Sequence, residues 1–187
     1  SAYGLDAAAG VMRWCEAHGR GFPVGAGVVP IVPAAVIFDL APLGRFDRRP
    51  TPEMAFAACE SATAMPAEGS VGAGAGATWR KVLGAGAMLK GGIGCASVAR
   101  GGMAAAALMV VNAFGTVRDA AGRPLADDLA FAPAAPHDFE DAAGRNTTVG
   151  IVLVDRRLSK LALRAVATAA GAAYHRRIAP AGSPFDG

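Results

Sequence analysis

The sequence is poor in aromatic residues and in cysteine. Its 187 residues include only two Trp, two Tyr and three Cys. So few aromatic side chains offer no stacking platform for single-stranded nucleic acid. Cys15, Cys59 and Cys95 have no C-x-x-C spacing, so they predict neither a disulfide framework nor a zinc site. Reduced thiols are the usual state in the cytosol, and we therefore expect a cytoplasmic protein.

Charge and long apolar runs are also scarce. Charged residues make up 18% of the chain and the formal net charge is +3. The arginine doublets are short and scattered, which fits solvated surfaces better than a nucleic-acid stripe. No apolar run reaches the roughly 18 residues that a membrane span needs. We therefore expect neither nucleic acid nor a membrane as a partner.

Several catalytic motifs are missing. There is no G-x-S-x-G nucleophile elbow. His18, His137 and His175 lie far apart in the sequence, and none stands in the context of a Ser-His-Asp triad. No His, Asp and Glu cluster has the spacing of metal ligands. The residues therefore predict no metal and no cofactor.

Small and apolar residues dominate what is present. Hydrophobic residues make up 53% and Gly occurs 25 times, which indicates one globular domain, residues 1–187, with close backbone packing. Hydrophobic periodicity and turn signals predict helices over residues 5–18, 52–64 and 159–174, and strands over residues 35–39, 93–98, 103–111 and 149–154. Residues 118–145 read as a surface loop. In the glycine-dense residues 69–94 we interpret Lys81 and Lys90, each taken alone, as solvated.

The junction between this loop and the last predicted strand carries the most chemistry. It reads A-G-R-N-T-T-V-G-I-V-L-V-D over residues 143–155. If the peptide bond before Thr147 were cut, one residue would carry both a nucleophilic hydroxyl and a free α-amine. An amine with a pKa of roughly 7.7–8.0 can serve as the base for that hydroxyl. Two simpler interpretations stay open: Thr-Thr often begins a strand, and Asn146-Thr147-Thr148 is a glycosylation sequon.

Seven collinear segments resemble the DmpA family of peptidases. This family includes the L-aminopeptidase/D-esterases, the β-peptidyl aminopeptidases and the nylon-oligomer hydrolases. The matching segments lie at residues 1–10, 27–39, 71–78, 89–97, 110–115, 146–150 and 184–187. Among them are V-G-A-G-A-G-A-T, L-K-G-G-I-G-C-A-S, V-V-N-A-F-G and N-T-T-V-G. They follow the family's order across nearly the whole chain.

The resemblance implies an α/β fold, a sandwich of two β-sheets covered by helices that ornithine acetyltransferase shares. It also implies a precursor that cuts itself between Asn146 and Thr147. The products are an α part, residues 1–146, and a β part, residues 147–187, which stay together. The expected reaction is hydrolysis of a small peptide or amide, as by an aminopeptidase or amidase, without a cofactor. A homo-tetramer is the expected assembly.

The resemblance also assigns roles to residues at matching positions. Thr147 corresponds to the nucleophile and Asn112 to the residue that stabilises the oxyanion. Lys81 matches a lysine of the site, and Tyr3 a tyrosine that contacts the reacting group. Asp186 matches the first of two carboxylates that orient the nucleophile. Family members carry a further N-terminal portion and a second carboxylate after the Asp-Gly pair, so we expect this chain to be truncated at both ends.

Two other functions remain open at this point. The first is acyl transfer in the manner of ornithine acetyltransferase, which also uses an N-terminal Thr. The second is a non-catalytic structural protein in which Thr-Thr merely begins a strand. Only the hydrolase and the acyltransferase would produce two chains from one gene.

Overall fold

The computed structural model describes residues 2–41, 43–126 and 145–186. Most of the predicted loop, residues 127–144, lies outside the described residues. The chain forms two compact units, Ser1–Pro66 and Ala67–Gly187, and each is described by itself. Both units mix helices and strands, so the expected α/β class is confirmed. The single catalytic domain expected from the sequence stays a prediction.

The first unit is built on two helices. A 3₁₀ turn at Ala2–Asp6 leads into α1, Ala7–Ala17, and α2 spans Pro52–Glu60. The helices approach so closely that a Cβ on Gly10 would overlap the carbonyl of Pro52, which is why a glycine suits this position. Two short strands complete the unit, with β1 at Phe22–Pro23 paired antiparallel to β2 at Val28–Val29.

Two sequence predictions in this unit have different outcomes. Thr51 caps α2 as predicted, and its Oγ1 accepts from the Met54 amide at 3.3 Å. The helix ends at Glu60, earlier than predicted, where the Ser61 hydroxyl donates to the Ala57 carbonyl at 3.0 Å. The strand predicted over residues 35–39 is wrong, because those residues form no strand. The extended pairing stops directly before Pro30, which has no amide hydrogen to donate.

The second unit is organised around a three-stranded antiparallel sheet. Strands β5, Gly92–Arg100, β6, Met103–Asn112, and β8, Thr147–Val154, lie in the order β5-β6-β8. Gly101 and Gly102 form the predicted hairpin turn, with φ values of 58° and 72°. A two-residue turn with both φ values positive matches the twist of the flanking strands.

Smaller elements surround this sheet. Strand β3, Thr78–Trp79, pairs with β4, Leu89–Lys90, and β7, Thr116–Val117, pairs with β9, Ile178–Ala179. The helix α3, Lys160–Arg177, begins at the predicted cap, where Ser159 Oγ accepts from the Ala162 amide at 3.2 Å. Three 3₁₀ turns cover Gly72–Gly74, Lys81–Leu83 and Ala85–Ala87.

Helix α3 covers one face of the sheet. A cavity of about 280 Å³ lies there, and its lining includes Met109, Gly150, Val152 and Tyr174. Side chains alternate between the two faces of a strand. Thr147 is three positions from Gly150, so its side chain belongs to the opposite face from this cavity.

The glycine-dense segment packs against the end of β6. A Cβ on Gly91 would overlap the carbonyl oxygen of Val111, so the predicted close backbone approach is confirmed. The Lys90 ammonium donates to the carbonyl oxygens of Gly74, Ala77 and Gly91 at 2.8, 3.0 and 2.8 Å. Lys90 is exposed, in agreement with the interpretation as solvated, and its ammonium additionally ties the segment to β4.

Candidate active site

Strand register brings Asn112 and Thr147 together. Asn112 is the last residue of β6, Thr147 is the first of β8, and the two are direct partners across the ladder. Direct partners in an antiparallel pair project to the same face of the sheet. Asn112 therefore lies beside the predicted nucleophile on the face opposite α3.

The Asn112 amide has a fixed orientation. Only 1% of the residue is exposed. Its Oδ1 accepts from the Thr78 amide at 3.0 Å and from Lys81 Nζ at 2.8 Å. Since two donors face this atom, the other amide atom must be the nitrogen. That Nδ2 donates to the carbonyl oxygen of Arg145 at 3.1 Å, one residue before the predicted cleavage site.

Lys81 contributes a second donor to the same place. Arg80, directly before it, has a left-handed backbone with φ of 69°, and the 3₁₀ turn that follows begins at Lys81. Besides the Asn112 side chain, Lys81 Nζ approaches the Asn112 carbonyl at 3.5 Å and the Arg145 carbonyl at 3.4 Å. The interpretation of Lys81 as solvated is therefore wrong.

The environment of Lys81 changes its protonation. Burial lowers the pKa of Lys81 to about 8, and the negative charge of Asp186 acts in the opposite direction. Burial disfavours the ammonium because it removes water from the charge, and the nearby carboxylate favours it. At pH 7 about a tenth of the molecules would carry the neutral amine. A lysine that titrates near neutral pH suits a site where protons move.

Asp186 is fixed by a turn of its own. Its Oδ2 accepts from the Ser183 amide at 3.0 Å and from the Ser183 hydroxyl at 2.9 Å. The Asp186 amide donates back to the Ser183 carbonyl at 3.0 Å. The main chain of Asp186 also forms a parallel bridge with Asn146. The main chain of Asp186 therefore lies next to the residue before the predicted cut.

Asn146 is held from the same side. The residue is fully buried, at 0% exposure, and its Nδ2 donates to the Phe185 carbonyl at 2.8 Å. The Phe185 ring packs against Phe114 with centroids 5.1 Å apart. The predicted scissile bond thus joins Thr147, fixed by β6, to Asn146, fixed by the segment Ser183–Asp186.

The structure brings four of the five predicted catalytic residues together in the second unit: Lys81, Asn112, Thr147 and Asp186. Among the described residues, no hydrogen bond joins the Thr147 hydroxyl to the other three. Three observations show that they are close. Asn112 and Thr147 are register partners, Asn112 and Lys81 both donate to the Arg145 carbonyl oxygen, and the charge of Asp186 raises the pKa of Lys81.

The fifth residue, Tyr3, belongs to the first unit. It is 54% exposed, and the Arg49 guanidinium carbon lies 4.1 Å from the centroid of its ring. Its role near the reacting group stays a prediction.

Sequence reasoning missed the groups that orient this site. They are the Thr78 amide, the Ser183 hydroxyl and the carbonyl oxygens of Arg145 and Phe185. Backbone groups leave no mark in a sequence, so no motif could have identified three of them. Ser183 had one signal, because a Ser three residues before an Asp near a proline is typical of a side-chain-bonded turn.

Comparison with known families settles the class of protein. The sequence model of peptidase family S58 matches residues 1–187. The chain belongs to peptidase family S58. This is the DmpA family, and the resemblance drawn from the seven segments is confirmed.

S58 relatives from mycobacteria match the whole chain. An uncharacterized aminopeptidase of Mycobacterium tuberculosis is 46% identical over 203 residues, which cover 100% of this chain and 57% of the relative. An uncharacterized aminopeptidase of Mycobacterium leprae is 43% identical over 207 residues, with 100% and 55% covered. The chain thus spans somewhat more than half the length of these S58 relatives.

Two further observations concern this S58 chain. In residues 2–41, 43–126 and 145–186, no helix combines the length and the apolar character that crossing a membrane requires. The same residues contain no cluster of three or more His, Cys, Asp or Glu side chains placed to bind a metal ion.

Proposed function

We propose that the protein is a self-cleaving hydrolase of peptide or amide bonds, with Thr147 as its nucleophile. One observation carries this proposal. Asn112 Nδ2 and Lys81 Nζ converge on the carbonyl oxygen of Arg145, at 3.1 and 3.4 Å, beside the register partner of Asn112. These donors lie one residue before the Asn146 carbonyl that the proposed reaction attacks, and preorganised donors so close to a reacting carbonyl can stabilise its oxyanion.

Self-cleavage comes first in this proposal. The Thr147 hydroxyl attacks the carbonyl carbon of Asn146, the C–N bond breaks, and the hydroxyl proton ends on the released nitrogen. The product is an ester between Asn146 and Thr147 Oγ. Water then hydrolyses this ester, which leaves a carboxylate on Asn146 and a free α-amine on Thr147.

Turnover of substrate uses the amine that cleavage creates. The α-amine of Thr147 takes the proton from its own hydroxyl as that oxygen attacks the substrate carbonyl. Asn112 Nδ2 and the Lys81 ammonium donate hydrogen bonds to the substrate oxygen and stabilise the negative charge that develops on it. The proton passes to the leaving amine, and water releases the acyl group from Thr147. Asp186 favours the charged form of Lys81 throughout.

The substrate in this proposal is a small peptide or amide, and the activity is that of an aminopeptidase or amidase. The names of the mycobacterial relatives support an aminopeptidase. We also propose a homo-tetramer, in line with the family resemblance. Light scattering on the natural-length protein tests the assembly, and a fully active monomer would contradict it.

Turnover assays on the natural-length protein test the reaction. Suitable substrates are α-peptide amides, β-peptides and 6-aminohexanoate oligomers. We expect hydrolysis of at least one class by the wild type and by Thr147→Ser, which keeps a hydroxyl at this position. Thr147→Ala should hydrolyse none of them. Hydrolysis by Thr147→Ala at the wild-type rate would refute the assigned nucleophile.

A further inference from the structure

The burial of Asn146 is unusual for a residue that is to become a chain terminus. Chain ends commonly lie exposed and lose order, and a buried amide is costly unless it is hydrogen-bonded. Yet Asn146 is 0% exposed, and it is one of the two largest fully buried side chains among the described residues. The burial of Asn146 therefore needs an explanation in the uncut chain.

The contacts of Asn146 show which groups hold this residue in place. Its main chain bridges Asp186 in parallel, and its Nδ2 donates to the Phe185 carbonyl at 2.8 Å. Phe185 is itself anchored, because its ring packs against Phe114, which is only 2% exposed. The side-chain bond thus fixes where the Asn146 carbonyl carbon stands relative to a packed part of the second unit.

The other end of the peptide bond is fixed independently. Thr147 pairs with Asn112 in the β6–β8 ladder. When both reacting ends are held by separate elements, the distance between hydroxyl and carbonyl carbon depends on both of them. A displacement of about 1 Å in such an arrangement can slow a reaction roughly 10²-fold.

We propose that the Asn146 side chain is a positioning residue for cleavage of the Asn146–Thr147 bond. By donating to the Phe185 carbonyl, it presents the Asn146 carbonyl carbon to the Thr147 hydroxyl. This inference rests on the self-cleavage proposed above. It adds a specific requirement, because the residue before the cut must donate a hydrogen bond as well as fit the space.

Two variants of the natural-length protein test this requirement. Asn146→Ala removes the donor, and we expect cleavage to slow about 10²-fold at every pH. Asn146→Asp is almost isosteric. As a carboxylate it cannot donate to the Phe185 carbonyl, but as a carboxylic acid it can. We therefore expect Asn146→Asp to cleave slowly at pH 7 and to approach the wild-type rate as the pH falls through the pKa of that carboxyl.

The measurement is the cleavage rate of freshly purified protein between pH 4 and pH 8, followed by intact mass. The titratable and charged groups next to residue 146 are Lys81, Arg145 and Asp186. They are present in every variant, so the ratio of variant to wild-type rate isolates residue 146. Circular dichroism at each pH confirms that the compared proteins are folded.

The outcomes separate this inference from the proposed function. An Asn146→Ala protein that cleaves at the wild-type rate overturns the inference alone. So does an Asn146→Asp/wild-type ratio that stays flat or decreases as the pH falls. A wild-type chain that never cleaves overturns both the inference and the self-cleavage on which it rests. A ratio that rises only for Asn146→Asp supports the hydrogen bond as the feature that positions the bond.

Discussion

Asn112 and Asn146 are both almost completely buried, but they make different contacts. They are the two largest fully buried side chains among the described residues, and they flank the same predicted scissile bond. The Asn112 Oδ1 is saturated by Thr78 and Lys81, so its Nδ2 is aimed at a carbonyl oxygen in the site. The Asn146 Nδ2 instead ties its own chain to Phe185.

The difference shows that burial alone does not identify a catalytic amide. What distinguishes Asn112 is that backbone and ammonium donors fix its orientation, so that its own donor points to the Arg145 carbonyl, one residue before the predicted scissile bond. Preorganised donors of this kind act without reorganising during the reaction. In our proposal Asn146 only positions its own carbonyl carbon for self-cleavage, so its side chain should contribute little to turnover once the bond is cut.

The largest expected effect is that of Asn112→Ala. The variant loses the donor for the developing oxyanion, so turnover per cut site should fall about 10²–10³-fold. Asn146→Ala is the matched comparison, because it removes the other buried amide. It should lower turnover per cut site less than tenfold. Turnover is measured with the best amide substrate and divided by the cut fraction from intact mass.

Equal losses in the two variants would remove the distinction between the asparagines. A loss confined to Asn146→Ala would reverse it. The second result would mean that Asn112 is a structural amide and that the oxyanion is stabilised elsewhere.

Lys81 should set the alkaline limit of activity. Its pKa is lowered to about 8, and the mechanism needs the ammonium as a donor, so kcat/KM should fall as the pH rises through about 8. An arginine stays charged throughout this range. Lys81→Arg should therefore lose the alkaline limb, and Lys81→Met should be slower at all pH values, by about 10²-fold.

The pH profiles of kcat/KM between pH 6 and pH 10 check this assignment. They report ionisations of the free enzyme. An alkaline limb that persists unchanged in Lys81→Arg would assign the ionisation to another group. It would also contradict the proposal that Lys81 and Asn112 together stabilise the oxyanion.

Local patterns predicted much of the second unit. The hairpin between β5 and β6, the strand that begins at Thr147 and the Ser159 cap of α3 each follow from a few neighbouring residues. Long-range pairings were beyond such reasoning. The partnership of Asn146 with Phe185 spans 39 positions, and it depends on how two distant segments pack. For the same reason residues 35–39, which follow Pro30 and Pro33 in an apolar stretch, predicted a strand that the structure does not form.

The family resemblance predicted Lys81, Asn112 and Asp186 as site residues. The structure places them near one another, and their roles stay predictions. The resemblance did not indicate that Asn112 would donate to the Arg145 carbonyl, since that contact is made by backbone. The glycine-rich sequence around Lys81 and Lys90 did not by itself distinguish the two lysines; only the resemblance did.

A matched pair of glycine substitutions tests how closely the glycine-dense segment must approach Asn112. A Cβ on Gly91 would overlap the Val111 carbonyl oxygen, next to Asn112, whereas a Cβ on Gly94 would meet nothing within 4 Å. Gly91→Ala should lower the free energy of unfolding by about 2 kcal/mol or more, because backbone must move. Gly94→Ala should change it by less than about 1 kcal/mol.

Urea unfolding of the two glycine variants measures these free energies. If Gly91→Ala is as stable as Gly94→Ala, the segment has room to move. The orientation of Asn112 would then not depend on its close approach.

The smallest expected effect concerns Lys90. Its ammonium donates to three backbone carbonyls of the glycine-dense segment. Lys90→Met should lower the free energy of unfolding by about 1–2 kcal/mol. The position of the alkaline limb should stay where Lys81 sets it. If Lys90→Met changed the alkaline limb of the kcat/KM profile as much as Lys81→Arg does, the two lysines would not have separate roles.

The central claim is that the chain cuts itself before Thr147, and intact mass spectrometry of the natural-length protein tests it most directly. We expect two chains, of which the smaller begins at Thr147, and a single chain for Thr147→Ala. Asn112 and Asn146 would then flank a bond that no longer exists in the active protein. A wild-type protein that hydrolyses amides while it remains one uncut chain would contradict the account.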